Sequence, residues 1–331
     1  MRGLQITEAK HVSLVELPKE SIGDDMVRVQ VRFVGLCGTD FALANGTLGL
    51  NVFPVVPGHE VAGIVSESTS PDFQPGDPVV LDPLISCGDC EACRIGRPQW
   101  CTQVGVIGVV RDGGAREELV LPAKQWVHWP KDVPLEVGAV LVEPIHVVHA
   151  VLEAAGARRP NRVLVIGTGA LGLMVVQSLN YQWPGVEISV YDTVEQHVEH
   201  AEGFGAARLM DTDRGTFDLV IDGVGSTASL DLASMAVRQG GRLVVYGVPK
   251  AGVNIPNADV LFRKNIHVVL SRLYSHDFSR AVQWAAEGVI TPHDVVSDWL
   301  SLPEAAAFLQ EEHWKRPERW GKTLVRVVDN G

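Results

Sequence analysis

The sequence lacks any long run of apolar residues and any cluster of lysine or arginine. No apolar stretch approaches the ~20 residues that a membrane-spanning helix needs, so we expect no membrane partner. The formal net charge of −12 repels nucleic-acid phosphates, and we expect no nucleic-acid partner. The first residues, Met1 to Thr7, lack the apolar core of a signal peptide. Together these absences predict a cytoplasmic protein.

Cysteine is also scarce, but four of the five cysteines follow the spacing Cys87-x2-Cys90-x2-Cys93-x7-Cys101. Sulfurs in so tight a loop can surround one tetrahedral ion, whereas disulfides between such close pairs would be strained. An iron–sulfur cluster is the main alternative, although the ferredoxin run continues with a three-residue gap and Cys-Pro. Redox-active thiols are a further alternative. We expect a structural zinc held by this loop, and free thiols again indicate a reducing compartment.

The residue pattern changes near the middle of the chain. Residues 1–150 contain short strands separated by turns and predict a β-rich, partly open barrel. From residue 151 to 272, apolar strands alternate with helices, which predicts a parallel, doubly wound sheet. Residues 273–331 contain two helical segments and a last strand, and we expect this segment to return to the first domain and complete it.

A glycine-rich loop, Gly167-Thr168-Gly169-Ala170-Leu171-Gly172, follows one predicted strand and opens a helix. This context is typical of dinucleotide binding, because the glycines allow a tight turn and let a pyrophosphate approach the helix N-terminus. Asp192 ends the next strand, where a carboxylate can bind both adenine-ribose hydroxyls and repel a 2′-phosphate. We therefore expect NAD(H) rather than NADP(H).

Each of these cofactor residues has a structural alternative. The glycines could form a bare strand–helix turn, and Asp192 could be a helix N-cap. His197 is expected either near the ribose or on the surface of the helix that follows Asp192.

A second set of metal-type residues is dispersed through the first half of the chain. It comprises Cys37, the pair His59-Glu60, and Glu143. Three protein ligands and one open position are typical of catalytic zinc. Sequence spacing alone does not bring these residues together. A buried packing role for Cys37 and a turn position for His59 are therefore alternatives.

Taken together, these motifs resemble those of zinc-dependent medium-chain alcohol and polyol dehydrogenases over nearly the whole chain. The motifs are Cys37-Gly38-Thr39-Asp40, Pro57-Gly58-His59-Glu60, the Cys87/Cys90/Cys93/Cys101 loop, Glu143-Pro144, Gly167 to Gly172, and Gly321-Lys322. Simple ethanol-type members carry cysteine in place of Glu143, so the chain is more similar to the glucose, threonine and sorbitol dehydrogenase branch. The resemblance implies a GroES-like β-barrel catalytic domain plus a Rossmann cofactor domain. It also implies a homodimer or homotetramer.

The resemblance further implies two zinc ions per subunit and a role for each residue of the reactive centre. Cys37 and His59 would hold the catalytic zinc, with Glu143, Glu60 or water in the remaining positions. Asp40 would accept the His59 N–H, and Thr39 would pass the alcohol proton outward before hydride reaches NAD+.

The sequence departs from the family at the outer end of this proton relay. Many relatives have a histidine five residues after the zinc cysteine, whereas this chain has Ala42. Water or His146 would then serve; for His146 a core or interface position is the alternative.

The expected function is NAD-dependent oxidation of a secondary alcohol in a polyol, sugar or cyclitol-like compound. The segment from Phe41 to Gly46 is apolar for a pocket wall, which argues against a free sugar. A biosynthetic reductase of a larger or more apolar carbonyl is the second hypothesis. A non-catalytic nucleotide-binding member is the third, but such a member would lack a zinc ligand, and Cys37, His59 and Glu143 are all present.

Overall fold

The computed structural model describes residues 1–50, 52–249, 252–312 and 320–328. The chain forms two compact units: Met1–Ile145 together with His276–Gly331, and His146–Ser275. The sequence pattern predicts these divisions at 150/151 and 272/273 instead. In the described part of the chain, no helix combines the length and apolar character needed to cross a membrane.

The first unit begins with short strands and helices. Its strands before residue 130 are β1 (Arg2–Glu8), β2 (His11–Glu16), β3 (Met26–Leu36), β4 (Glu60–Ser68), β5 (Pro78–Leu81), β6 (Leu84–Ile85), β7 (Gly105–Val106), β8 (Glu118–Pro122) and β9 (Trp126–His128). Its helices are α1 (Gly38–Ala44), α2 (Glu91–Arg94) and α3 (Leu135–Ala155), the last of which continues into the second unit. Short 3₁₀ turns occur at Pro98–Trp100 and Ala123–Gln125.

The second unit alternates strands and helices, as the sequence pattern predicts. Its elements are β10 (Arg162–Ile166), α4 (Ala170–Gln182), β11 (Glu187–Tyr191), α5 (Glu195–Glu202), β12 (Ala207–Arg208), β13 (Phe217–Asp222), α6 (Thr227–Ala236), β14 (Val237–Val245), α7 (Ala258–Arg263) and β15 (His267–Leu270), with a 3₁₀ turn at Asp211–Asp213.

These strands form one parallel sheet in the order β12-β11-β10-β13-β14-β15. Numbered from β10, this is the 3-2-1-4-5-6 order of doubly wound dinucleotide-binding folds. The central strand β10 is buried from Val163 to Ile166, because helices cover both faces of such a sheet. The predicted Rossmann architecture is confirmed.

The final segment of the chain belongs to the first unit. It contains α8 (Phe278–Ala286), a 3₁₀ turn at Pro292–Asp294, β16 (Val296–Ser301), α9 (Leu302–Gln310) and β17 (Lys322–Arg326). Strand β17 pairs with β3 and extends a sheet of order β16-β17-β3-β4-β5-β9. Residues 26–30 of β3 pair with β8, while residues 33–36 pair with β17. Side chains from α9 and β17, including Phe308 and Val325, pack in one core with Leu4 and Val34.

Helix α3 differs from the expectation that residues 1–150 form short strands. Most side chains of α3 between Gly138 and Val151 are buried, so the sequence has no polar face repeating every 3.6 residues. Pro144 also lies inside the helix, where proline normally indicates an end or a kink. Burial on nearly all sides therefore hid the helix that carries Glu143.

Candidate active site and metal centres

The four clustered cysteines lie together in the loop from Cys87 to Cys101. The Sγ–Sγ distances are 3.9 Å for Cys87–Cys93, 3.5 Å for Cys90–Cys93 and 3.5 Å for Cys87–Cys101. All four sulfurs lie within 4.8 Å of one another, and none forms a disulfide. Four thiolates about 2.3 Å from one ion would have sulfurs about 3.8 Å apart. The geometry therefore fits a single tetrahedral metal ion.

Backbone N–H groups of the same loop point at these sulfurs. The N–H groups of Cys87 and Gln103 donate to Cys101 Sγ, and that of Cys90 donates to Cys87 Sγ, at 3.3–3.4 Å. The pKa of Cys90 is lowered to about 6, chiefly by the backbone N–H of Cys93. The thiolate is the form that binds metals. Before an ion binds, the loop favours it at Cys90 and Cys101, whose pKa values are lowered, but not at Cys87 and Cys93, whose pKa values are raised.

Cys37 and His59, which are distant in the sequence, lie close together at the N-terminus of α1. Cys37 caps this helix: its Sγ accepts the N–H of Thr39 at 3.2 Å, and Asp40 accepts the N–H of Cys37 at 2.9 Å. The other carboxylate oxygen of Asp40 accepts the N–H of Gly58 at 3.0 Å. Asp40 therefore ties α1 to the turn before His59, and Cys37 Sγ lies 3.0 Å from His59 Nε2.

The contact between Asp40 and His59 differs from the expected hydrogen bond. Asp40 Oδ1 lies 3.7 Å from His59 Nδ1, which is close enough for an ionic contact but too long for a hydrogen bond. His59 Nδ1 is buried and has no hydrogen-bond partner among the described residues. The carboxylate is occupied by two backbone N–H groups instead, so its direct role is to hold the backbone around Cys37 and His59.

Two carboxylates also lie near His59. Glu60 begins β4 and Glu143 lies within α3, and with His59 they offer ligand atoms within 4.8 Å of one another. Cys37 and Asp40 form a second such group with His59. His59 is thus common to both groups, whereas Cys37 and Glu143 do not share one among the described residues.

A buried lysine completes this centre. Lys322 Nζ lies 2.5 Å from Glu60 Oε1, and both side chains are almost fully buried. The other oxygen, Glu60 Oε2, is buried without a hydrogen bond from any described residue. Burial raises the pKa of Glu60 to about 7, although Lys322 opposes the shift, and the charge of Glu143 adds to it. Glu60 is therefore held on one side by Lys322 and left open on the other.

The electrostatics of the centre favour a cation. Burial alone would lower the pKa of His59, but the charges of Cys37, Asp40 and Glu143 raise it well above its usual value. Burial likewise opposes the charge on Lys322, yet Glu60 and Cys37 raise its pKa. Cys37 Sγ, the neighbouring His59 Nε2 and the unpartnered Glu60 Oε2 are sulfur, nitrogen and oxygen donors, and such a set is chemically suited to zinc. The residues of the centre fit a zinc ion.

Sequence reasoning missed the roles of Lys322 and Asp82. Lys322 was noted only as part of a motif, and 262 residues separate it from Glu60. Burial raises the pKa of Asp82 to about 6, and the charge of Glu143 adds to that rise against the N–H of Leu84. Asp82 follows β5, whose pairing of Val80 with Ala62 places it opposite Glu60. Strand pairing brings both residues to Glu60, so sequence spacing gave no indication of either role.

The two predicted relay residues differ in their surroundings. Thr39 is partly exposed beside Cys37. His146 belongs to the second unit and is almost completely buried, with its ring stacked on Tyr274 at a centroid distance of 5.0 Å. That environment is the one expected of a core histidine, and its role in a relay stays a prediction.

The glycine loop has the geometry that close packing of a strand and a helix demands. Gly167 has a φ of +87°, a left-handed conformation that favours glycine. A Cβ atom at Gly172 would lie 2.0 Å from the Gly167 carbonyl oxygen, so only glycine fits there. Gly169 is the N-cap of α4, and Ala170 and Leu171 form its first turn. The N-terminus of α4 is therefore open to an anionic group.

Asp192 braces this loop from the end of β11. Its carboxylate accepts the N–H groups of Thr168 at 2.7 Å and Val194 at 2.9 Å, and lies 3.2 Å from His197 Nδ1. Burial would raise the pKa of Asp192, but hydrogen bonds from His197 and these N–H groups lower it. The N-cap of α5 is Val194, so Asp192 is not a helix N-cap. The structure thus brings Thr168, Asp192 and His197 together.

Comparison with known proteins identifies the family. Residues 23–131 match the family described as "Alcohol dehydrogenase GroES-like domain", and residues 170–287 match "Zinc-binding dehydrogenase". D-altritol 5-dehydrogenase of Agrobacterium fabrum is 30% identical over 330 residues, covering 94% of this chain and 96% of that protein. The chain belongs to the zinc-type alcohol dehydrogenase family. The predicted family, the GroES-like and Rossmann fold, and the assignment as an oxidoreductase are confirmed.

Solved structures agree with this zinc-type dehydrogenase over nearly its whole length. The alcohol dehydrogenase RspB of Escherichia coli, complexed with NADH, has a TM-score of 0.88 at 25% identity and covers 99% of both chains. A zinc-binding dehydrogenase of Sinorhizobium meliloti, bound to NADP, has a TM-score of 0.90 at 26% identity and covers 98% of this dehydrogenase and 99% of that chain. Nicotinamide dinucleotides of both kinds therefore occur with this fold.

Proposed function

We propose that this dehydrogenase oxidises a secondary alcohol of a polyol, sugar or cyclitol-like compound with zinc and NAD+. The observation that carries the proposal is the group of His59, Glu60 and Glu143, which sets two carboxylates beside the histidine shared with Cys37. A carboxylate oxygen donates less electron density to zinc than a thiolate does, and so leaves the ion a stronger Lewis acid toward a hydroxyl. The similarity to D-altritol 5-dehydrogenase supports the same substrate class.

Each residue of the centre would have its own role in the oxidation of the alcohol. Cys37, His59 and Glu143 hold the zinc ion, which when bound lowers the pKa of an alcohol. Asp40 keeps α1 and the turn before His59 in register through its two backbone hydrogen bonds. Thr39, partly exposed beside Cys37, passes the alcohol proton outward. A bound dinucleotide supplies the hydride acceptor, and Lys322 keeps one oxygen of Glu60 away from the ligand set.

The core position of α1 removes the sequence-based argument against a free sugar. That argument treated the apolar segment from Phe41 to Gly46 as a pocket wall. Phe41, Leu43 and Ala44 are buried in the hydrophobic core of the first unit. Their apolar character is therefore explained by packing and carries no information about the substrate. The polyol class remains the better supported one.

Asp192 supports the choice of NAD(H). Its pKa is lowered, so the carboxylate is ionised at neutral pH. An anion at the end of the second strand of this sheet can accept hydrogen bonds from ribose hydroxyls and repels a 2′-phosphate. We also propose that Gly167, Thr168, Gly169, Ala170, Leu171 and Gly172 receive the pyrophosphate, with His197 beside Asp192.

The partners and location that we propose follow from two further features. Strand β15 is the last strand of its sheet, and Leu270 is 69% exposed on it, while Phe262 of the preceding helix is 86% exposed. An apolar edge strand invites pairing with a second copy of the chain, so we propose a homodimer or homotetramer. All five cysteines are free, which supports a reducing cytoplasm.

The proposed substrate class and the zinc content can be tested together by comparing wild type with one variant. Purified wild type and Glu143→Ala are compared on a panel of polyols, aminocyclitols and aldehydes by NADH absorbance, with zinc measured by elemental analysis. We expect about two zinc ions per wild-type subunit, turnover on polyols, and a kcat at least ~100-fold lower for Glu143→Ala. Equal turnover and zinc content in the variant would show that Glu143 is structural and contradict the proposal.

A further inference from the structure

Tyr246 lies at the carboxyl ends of the strands of the parallel sheet, where the glycine loop also lies. It follows the last residue of β14, and its N–H donates to the Asp222 carbonyl at the end of β13 at 2.9 Å. Strand β13 pairs in turn with β10, which leads into the glycine loop. The carboxyl ends of these three neighbouring strands therefore bring Tyr246 to the edge at which doubly wound sheets bind dinucleotides.

The phenol ring of Tyr246 crosses the end of β13 toward the loop. A Cβ atom at Gly223 would lie 2.2 Å from the Tyr246 hydroxyl oxygen and 2.5 Å from its Cζ. A Cβ atom at Gly172, the last glycine of the loop, would lie 3.8 Å from the same oxygen. The hydroxyl is thus seated against Gly223 and beside the first turn of α4.

The Tyr246 ring occupies the space that a side chain at Gly223 would need. Its φ lies outside the left-handed region, unlike that of Gly167, so the backbone does not require glycine there. A methyl group would overlap the tyrosine hydroxyl, since real Cβ atoms do not approach other heavy atoms so closely. The pair of Gly223 and Tyr246 is therefore a matched arrangement that delivers one hydroxyl to the loop.

The hydroxyl remains available as a hydrogen-bond donor. Tyr246 is partly exposed, and its oxygen makes no hydrogen bond with any residue in the part of the chain that the structure describes. Desolvation by the surrounding protein raises the pKa of Tyr246, and the charges of Asp222 and Asp192 raise it further. The phenol therefore keeps its proton at any physiological pH, and it can donate to an acceptor that a bound ligand brings.

We propose that the Tyr246 hydroxyl donates a hydrogen bond to an oxygen of the nicotinamide-side ribose phosphate of the bound dinucleotide, and that the absence of a side chain at Gly223 makes room for it. The proposal rests on the proposed dinucleotide cofactor and adds to it a positioning contact outside the glycine motif. Tyr246 thereby raises the affinity for the part of the cofactor that lies beyond its adenosine monophosphate half. The glycine loop and Asp192 retain their own roles.

The test compares binding of three compounds to wild type and Tyr246→Phe, which removes only the hydroxyl. Dissociation constants of NADH, ADP-ribose and AMP are measured on the zinc-loaded protein by fluorescence titration and calorimetry. We expect the Kd of NADH and ADP-ribose to rise about 10-fold, as for loss of one hydrogen bond, while that of AMP changes less than about twofold. Tyr181→Phe, at the other end of α4 and half exposed, is the matched control.

Two other outcomes separate the possible failures. If wild type binds NADH and Tyr246→Phe binds NADH and ADP-ribose equally well, the ring only fills space and this inference is wrong. If wild type binds no NADH, the proposed cofactor itself is wrong. Gly223→Ala gives an independent check: its melting temperature shows whether it folds, and a folded variant should also lose ADP-ribose affinity because the ring must move. Unchanged affinity in a folded Gly223→Ala would overturn the role of the pair.

Discussion

The two candidate metal centres of the first unit are built in opposite ways. The Cys87–Cys101 loop gathers four identical ligands from fifteen consecutive residues and uses its own backbone N–H groups to orient them. The centre around His59 gathers sulfur, imidazole and carboxylate groups from α1, β4 and α3, with a lysine from β17 beside them. The first is a local structure that an ion would close, whereas the second is a product of the fold. A metal in the first should therefore matter for folding and a metal in the second for chemistry.

Replacing one cysteine by serine in each centre should have the largest effects, and the effects should be opposite in kind. Cys37→Ser is expected to lower kcat/KM by about 10³-fold, because a bound metal contributes several kcal/mol to the transition state. The melting temperature should change by less than about 3 °C, since Cys37 is only a cap of a short helix. Steady-state kinetics and thermal unfolding of the same preparation measure both. A stable variant that keeps wild-type activity would remove Cys37 from the reactive centre.

Cys90→Ser should show the reverse pattern. Loss of one ligand of a closed tetrahedral site removes metal-linked folding energy, so we expect the melting temperature to fall by about 15 °C. Activity per zinc-loaded molecule at low temperature should stay within about twofold of wild type. Calorimetry with parallel zinc analysis provides the measurement. Iron and inorganic sulfide in the purified wild type would instead indicate a cluster in this loop.

Lys322 is a further difference between the two centres, because it stabilises the centre around His59 by pairing with Glu60 and is not itself a metal ligand. Lys322→Met leaves the Glu60 carboxylate buried and unpaired, which costs about 3–5 kcal/mol and should lower the melting temperature by about 10 °C. The double change Glu60→Gln/Lys322→Met removes both charges and should recover most of that loss. If the double variant is as unstable as Lys322→Met alone, the ion pair is not the reason for burying the lysine.

The smallest effect is expected at the cofactor loop. Asp192→Asn keeps an oxygen for the Thr168 N–H but removes the charge, so discrimination against NADPH should fall by about 10-fold. Adding Thr193→Arg should increase the shift toward NADP(H). Kinetics with both coenzymes provide the measurement. A wild type that already prefers NADP+ would show that Asp192 does not face the 2′ position.

The lowered pKa of Asp192 also predicts how this preference depends on pH. A depressed carboxyl pKa contributes stability that is fully present above about pH 4, the unfolded value, and is lost as pH falls through the folded-state pKa. Asp192 is therefore ionised throughout the working range. The ratio of kcat/KM for NAD+ over NADP+ should be constant from about pH 7.5 to 9, where the 2′-phosphate of NADP+ is also fully ionised, and a sharp change within that window would implicate another group.

Local sequence patterns alone determined the cysteine loop, the glycine loop and the type of the second unit's fold. The Cys87–Cys101 spacing alone placed four sulfurs in one loop, because so few residues between ligands leave little freedom. The strand–glycine–helix sequence at Gly167 to Gly172 likewise specified the turn, since a close approach such as that of Gly172 to Gly167 excludes any side chain. Alternating apolar strands and helices were enough to indicate the doubly wound sheet.

Only the tertiary structure decided the rest, because it depends on contacts between distant residues. Helix α3 had no visible period since it is buried on nearly all sides, and with it the surroundings of Glu143 were hidden. Lys322 meets Glu60 across 262 residues through the pairing of β17 with β3 and of β3 with β4. Tyr246 reaches the glycine loop only because β10, β13 and β14 end at one edge and Gly223 leaves room for its ring.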